Sequence, residues 1–250
     1  MLELAGRHAV VTGGGRGIGA AIAARLTQAG ARVTVLGRTG APLRAVVDAG
    51  DAAAYVVADV TAPDALRRAQ AEAGDADILV NNAGGARSAP FARTTRDDWA
   101  AMLALNLTAV FDACQAVVPG MVARGFGRIV TVASTAGLRG YAYVAPYCAA
   151  KHGVVGLTRA LALELAASGV TVNAVCPGFT ETDLLADAVA KVARASGRDP
   201  AEVRAAFVRD VPQGRFMTPA QVADAVLFLC RPAAEAITGI ALPVSGGEVM

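Results

Sequence analysis

"TGGGRGIG", Thr12 to Gly19, is the stretch from which the fold can be read. A short apolar run, "HAVVTG" (8–13), precedes it, and "GIGAAIAARLTQAG" (17–30), a stretch of helical composition, follows it. Strand, glycine-rich turn and helix in direct succession gather free backbone N–H groups at a helix start, where they favour a phosphate anion. Gly13 permits the tight turn, Gly17 lets a phosphate approach the backbone, and Gly19 lets helix and strand pack closely. Spaced glycines alone carry little weight. The strand before them and the helix after them point to a dinucleotide.

The same alternation continues along the chain. "RVTVLG" (32–37), "AYVVAD" (54–59), "DILVNN" (77–82), "RIVTVAS" (128–134) and "VTVNAVC" (170–176) read as strands, apolar nearly throughout, as strands covered on both faces are. "PDALRRAQAEA" (63–73), "DDWAAMLALNLTAVFDACQAVV" (97–118) and "APYCAAKHGVVGLTRALALELAAS" (145–168) read as helices. A last helix, "PAQVADAVLFLC" (219–230), precedes a short strand in "IALPVSG" (240–246). This pattern predicts an α/β fold: a doubly wound parallel sheet with helices on both faces and right-handed crossovers. No repeat or linker interrupts it, so residues 1–250 are read as one domain. Residues 180–215 fall outside the pattern. Their helical pieces, "TDLLADAVAKVARA" and "PAEVRAAFVRD", make them a candidate lid over a site at the carboxyl ends of the strands.

Composition narrows the class. Hydrophobic residues make up 54% of the 250 and charged residues 18%, which supplies a core and argues against disorder. A net charge of +2 with no basic run gives no nucleic-acid footprint. "MLELAGRHAVVTGG" is not built like a signal peptide, and apolar runs elsewhere are expected to break before membrane-spanning length. Cys114, Cys148, Cys176 and Cys230 form no CxxC and fit buried, reduced thiols. His8 and His152 are too few and too far apart for a zinc cluster, and both read as structural or surface histidines. The expected class is soluble, cytoplasmic and metal-free, with no nucleic-acid or membrane partner.

In "PYCAAKHG" (146–153), Tyr147 and Lys151 stand four residues apart, on one face of a helix whose first turn tolerates Pro146. Taken alone they are either a solvated pair or a tuned acid. With the TGxxxGxG spacing, "NNAG" (81–84) and Ser134, however, the "YCAAK" pair resembles the short-chain dehydrogenase/reductase family, and the resemblance runs from Gly6 to Gly247. It implies one Rossmann-like unit, usually assembled as a homotetramer, and a catalytic tetrad of Asn106, Ser134, Tyr147 and Lys151. Asn106, in "LALNLTAVF", would anchor a water beside the lysine. Ser134 would hydrogen-bond the substrate oxygen, Tyr147 would give the proton, and Lys151 would lower the phenol pKa and hold the nicotinamide ribose. Lowering that pKa by about three units takes roughly 4 kcal/mol. One ammonium at ~4 Å supplies about 4 kcal/mol at an effective dielectric near 20.

The second strand ends "VLGRT", without the carboxylate that commonly holds the NAD ribose. Arg38 there, and Arg16 in the glycine turn, can pair with a 2′-phosphate, which favours NADPH over NAD. The resemblance further assigns to the cofactor Gly13, Gly17, Ile18 and Gly19 in the turn, then Asp59 and Val60 at the adenine. Asn82, Ala83 and Gly84 would lie under the ribose, Pro177 and Gly178 would shape a turn, and Thr180 and Thr182 would bind the carboxamide and phosphates. Tyr141, Tyr143, Phe179, Leu184, Leu185 and Phe207 would wall an apolar or aromatic pocket. Arg87, Arg139 and Arg215 would either meet an anionic group or remain solvated.

Within the family the chain looks most like 3-oxoacyl thioester reductases and the ketoreductases of aromatic polyketide synthesis. "GGARSAPFA" lacks the Pro-Gly-Gly of the latter, and the carrier-docking arginines of the former are half matched, by Arg124 and not at Ser168-Gly169. Coenzyme A thioesters and free ketones stay open. The expected activity is reduction of such a ketone to an alcohol by hydride transfer, with tyrosine as the acid. The alternatives are an NAD-dependent 3-hydroxyacyl-CoA or 3-hydroxy acid dehydrogenase and a non-catalytic dinucleotide sensor.

Overall fold

The computed structural model describes residues 2–62 and 64–250, and its seven strands form one parallel sheet. They are β1 (His8–Thr12), β2 (Arg32–Gly37), β3 (Ala54–Val57), β4 (Ile78–Asn81), β5 (Gly127–Val132), β6 (Val170–Pro177) and β7 (Ala241–Val244). The spatial order is β3-β2-β1-β4-β5-β6-β7. Chain direction across the sheet reverses once, between β1 and β4, which pair through Val11 and Val80. In such a sheet the carboxyl ends beside the reversal open a crevice, and ligands bind there.

Side chains along each strand alternate between two apolar layers. Val10, Leu79, Ile129, Val172 and Cys176 face one layer with Ala113, Val117 and Met121 of α5 (Ala109–Ala123) and Val154 and Val155 of α6 (Ala145–Leu165). Ala9, Val11, Val80, Val130 and Val175 face the other. There they meet Ile22 and Leu26 of α1 (Gly17–Gln28), Leu43 of α2 (Gly40–Asp48), and Val222, Val226 and Leu229 of the last helix, Pro219–Cys230. Each fully buried Leu or Ile contributes about 2 kcal/mol through burial. Both faces are therefore covered, and the sheet edge at the crevice is held rigidly from two sides.

Helices differ from expectation in three places. Residues 40–48 form α2, which the sequence reading leaves without an element. The helix expected from residue 63 begins at Ala65, as α3 (Ala65–Ala73), and Pro63 lies outside the described residues. The helix expected over 97–118 is α4 (Arg96–Leu103), a π-helical turn (Ala104–Thr108) and α5, which continues through Pro119. Together Arg96–Ala123 are 28 residues whose most apolar 18-residue window has mean hydropathy 1.6, long and apolar enough to cross a membrane, against the expectation of shorter runs. In the fold, Met102, Ala109, Val110, Ala113, Cys114, Val117 and Met121 of this stretch are buried.

Residues 180–215 fold as α7 (Asp183–Ser196) and α8 (Pro200–Val208), leaving α9 for Pro219–Cys230. The pair buries its own apolar cluster, with Leu185, Val189, Ala193 and Val203 packed on Phe216, Phe179 and Phe207. Phe179 stacks on Phe207 at 4.9 Å and meets Phe216 and Tyr141 edge-on at 6.5 and 6.4 Å. These contacts fasten the helix pair over the carboxyl ends of β5 and β6.

Candidate active site

The glycine turn has the geometry its sequence requires. Gly13 has φ +66°, in the left-handed region, and a Cβ there would lie 2.9 Å from Ala83 Cα. A Cβ on Gly19 would lie 2.2 Å from the carbonyl oxygen of Gly13, so helix and turn approach as only glycine allows. The turn is tied to β4 by side chains. Asn82 Nδ2 donates to the carbonyls of Thr12 and Gly13 at 3.0 and 3.1 Å, and Thr12 Oγ1 accepts from the N–H groups of Asn82 and Ala83, both at 3.0 Å. Thr12 opens the glycine motif, but its tie to β4, 70 residues on, leaves no mark in the local sequence.

α1 starts without a side-chain cap and without an acid in its first turn. Its N–H groups and positive dipole end are left for an anion. Thr182 stands opposite, its Cγ2 3.2 Å from where a Cβ on Gly17 would be. This cradle of glycines, uncapped donors and a threonine fits a dinucleotide pyrophosphate. Arg16 and Arg38 are both exposed, and the side chain of Ile18 packs on the core behind the turn. Asp59 accepts from Thr61 N–H and Oγ1 at 2.9 and 2.8 Å, and these bonds, with the Arg38 charge, hold its carboxyl below the usual range. The side chain of Val60 is buried in the core, which leaves only its backbone for an adenine.

At the neighbouring strand ends the structure brings Ser134, Tyr147 and Lys151 together. β5 stops at Val132, two residues earlier than expected from Ser134. Ser134 instead caps the 3-10 turn Thr135–Gly137, with Oγ accepting from Ala136 N–H at 3.1 Å. Tyr147 enters in the first turn of α6, behind Pro146. Lys151 follows one turn later, 4% exposed, its Nζ donating to the Val132 carbonyl at 2.8 Å and lying 5.7 Å from the Tyr147 ring centroid.

Burial pushes the Tyr147 phenol up, and a hydrogen bond from Ser134 partly opposes that. Burial also lowers the Lys151 amine, to about 8. Desolvation disfavours both charged forms. The Asn106 side-chain amide is engaged by Gly85 N–H, Gly85 O and Met102 O, at 3.2, 3.0 and 3.0 Å. Gly84 lies between the two, since a Cβ there would be 3.0 Å from Asn106 Oδ1 and 3.6 Å from Lys151 Nζ.

Beyond Pro177 and Gly178, Thr180 Oγ1 donates to the Gly178 carbonyl at 3.0 Å, while Thr182 caps α7. A cleft of about 410 Å³ opens beside Pro146, bordered by Arg87, Met102, Tyr143 and Lys191. Among the expected pocket cations, Arg87 pairs with Asp98, Arg139 lies over the Tyr141 ring and Arg215 bonds Gln221. All four cysteines are free and buried. Among the described residues no group of three or more His, Cys, Asp or Glu side chains gathers to hold a metal ion.

Comparison with known proteins agrees with this arrangement. The family model described as "short chain dehydrogenase" matches residues 7–193. The 3-oxoacyl-(acyl-carrier-protein) reductase FabG of Vibrio cholerae is 40% identical over 257 residues, covering 100% of both chains. The D-beta-hydroxybutyrate dehydrogenase of Cupriavidus necator is 38% identical, covering 98% of this chain and 99% of that protein. A solved point variant of actinorhodin polyketide ketoreductase, with NADPH, superposes at a TM-score of 0.90 with 39% identity and 97% coverage of each chain. By these matches, over a Rossmann-like sheet with its glycine turn at the crevice, the chain belongs to the short-chain dehydrogenase family of oxidoreductases.

Proposed function

We propose that the protein is an NADPH-dependent carbonyl reductase that converts the ketone of a 3-oxoacyl thioester or polyketide-like substrate to an alcohol. The observation that carries this reading is the meeting of Ser134, Tyr147 and Lys151 beside an uncapped glycine turn at one end of the sheet. NADPH, when bound, supplies the hydride. Arg16 and Arg38 hold its 2′-phosphate, and β2 ends on no carboxylate to repel one. The Gly13–Gly19 turn with Thr182 takes the pyrophosphate, and Asp59, Val60, Asn82, Ala83, Gly84, Pro177, Gly178 and Thr180 complete the cofactor wall.

Ser134 Oγ accepts from Ala136 N–H, which fixes the hydroxyl beside Tyr147, and its single proton turns from the phenol to the ketone oxygen when substrate binds. Tyr147, kept neutral by burial, carries the proton that the developing alkoxide needs. The Lys151 ammonium, whose Nζ is 5.7 Å from the Tyr147 ring centroid, favours the phenolate left when that proton is given up. Lys151, fixed by the Val132 carbonyl, is placed to hold the nicotinamide ribose, and Asn106 supports it from the Gly84–Gly85 side. Residues 180–215 act as the lid.

Arg124, the half of the carrier-docking pair that matched, is bound to Asp75, Asp77 and the Ala76 carbonyl. This supports a coenzyme A thioester or a free ketone over delivery by a carrier protein. Exposed Phe111 on α5 and Leu163 on α6 support assembly as a homotetramer, and four reduced buried cysteines support a cytoplasmic setting. The test is oxidation of NADPH and NADH, side by side, with acetoacetyl-CoA and with trans-1-decalone. Faster NADPH loss with either ketone sustains the reading. Activity confined to NAD, with a 3-hydroxy acid oxidised and NADH formed, replaces it with the catabolic dehydrogenase.

A further inference from the structure

After β7 the chain turns back on Ser245, whose carbonyl accepts from Glu248 N–H at 3.2 Å and whose Oγ accepts from Val249 N–H at 3.3 Å. The turn returns Glu248 to the carboxyl ends of the strands. There the Tyr141 hydroxyl donates to Glu248 Oε1, and the same phenol oxygen lies 2.8 Å from Thr135 Oγ1. A phenol has one proton. Since it goes to the carboxylate, Thr135 is the donor in the second bond.

Thr135 directly follows Ser134 and opens the 3-10 turn that Ser134 caps. A chain of oriented hydrogen bonds thus runs from Thr135 through Tyr141 to Glu248. Burial, reinforced by the hydrogen bond to Glu248, holds the Tyr141 phenol well above its ordinary pKa, so it remains a donor. The other carboxylate oxygen, Oε2, is buried without a hydrogen-bond partner and lies 2.9 Å from where a Cβ on Gly178 would be. Among the described residues no lysine or arginine forms an ion pair with Glu248. An unpartnered buried carboxylate oxygen costs stability, so folding alone does not account for the group.

We propose that Glu248 is a positioning residue for the reaction: through Tyr141 and Thr135 it fixes the turn that aims Ser134 at the ketone oxygen. The inference rests on the carbonyl-reductase reading for its kinetic readout, and on the fold alone for its structural one. Misaiming a group that orients the reacting carbonyl slows the chemical step more than it weakens binding.

The variants are Glu248→Ala, Glu248→Gln, Tyr141→Phe and the double variant E248A/Y141F. Glutamine still accepts the Tyr141 proton and is expected to stay within about threefold of the parent kcat. E248A and Y141F are each expected to lower kcat on the order of tenfold with the NADPH KM within about twofold, and the double variant to lose no more than either alone. Independently of any substrate, hydrogen exchange at the amides of 136–139 is expected to rise in E248A while exchange in the buried strands stays at the parent level. Unchanged protection at 136–139, or losses that multiply in the double variant, would overturn the inference. Should the parent reduce neither ketone, the proposed function fails and the exchange result alone decides the role of Glu248.

Discussion

Replacing Lys151 with methionine should change how stability depends on pH, by an amount that follows from its burial. The amine is 4% exposed and its pKa is lowered from the ordinary 10.5 to about 8. Between those values the unfolded chain binds a proton that the folded chain has released, so stability rises with pH across the window. Below the folded value both states are protonated and the burial penalty is fully present. Integrating from about pH 7 to about pH 9.5, this one group adds about 2 kcal/mol of stability. Cys114, Cys176 and Cys230, raised by burial to about 12, 11 and 12, act in the opposite sense as pH rises above their unfolded value of 9.0. Cys114 and Cys230 do so equally in both proteins; Cys176, on which Lys151 acts, is replaced by alanine in both, so that the difference between parent and K151M isolates the lysine. Urea unfolding at the two pH values is the assay. Parent and variant stabilities that change in parallel, within about 0.5 kcal/mol, would refute the claim that Lys151 is buried with a depressed pKa.

Three further outcomes test the site. Arg38→Asp should lower kcat/KM for NADPH relative to NADH by about two orders of magnitude, since a charge-assisted bond to phosphate becomes a repulsion; an unchanged ratio removes the 2′-phosphate assignment. Gly19→Ala sets a Cβ 2.2 Å from the Gly13 carbonyl oxygen. It should destabilise by about 2 kcal/mol and abolish NADPH binding in a fluorescence titration, and a variant that still binds would show that the turn yields. Tyr147→Phe should cut kcat by about 10²- to 10⁴-fold while the dissociation constant for NADPH stays within about threefold, and a rate near that of the parent would exclude Tyr147 as the acid.

What was legible in the sequence was what short stretches encode by themselves. The Gly13–Gly19 turn is local and needs a glycine where φ is positive, so it is visible without any partner. Tyr147 and Lys151 share a helix face at i and i+4, and their proximity follows from the helix alone. By contrast, α2 carries Leu43 and Val46 on one face but opens with Gly40 and Pro42, residue types that more often mark loops. The π-helical turn at Asn106 needs one extra residue per turn and leaves no compositional mark. The low pKa of Lys151 depends on the depth at which α6 meets β5, a tertiary quantity. Tyr141 and Glu248, 107 residues apart, have no local sign of contact at all.

The helix pair α7 and α8 closes over an apolar cluster of its own, joined to the two sheet layers through few residues, Phe179 and Phe216 chief among them. That separation makes the molecule modular in descent as well as in shape. Exchanges among Leu185, Val189 and Phe207 are absorbed first inside that cluster, which shares no residue with the two sheet layers. A lineage that copies this gene can therefore vary the cover while the two layers beneath it keep the sheet as it is.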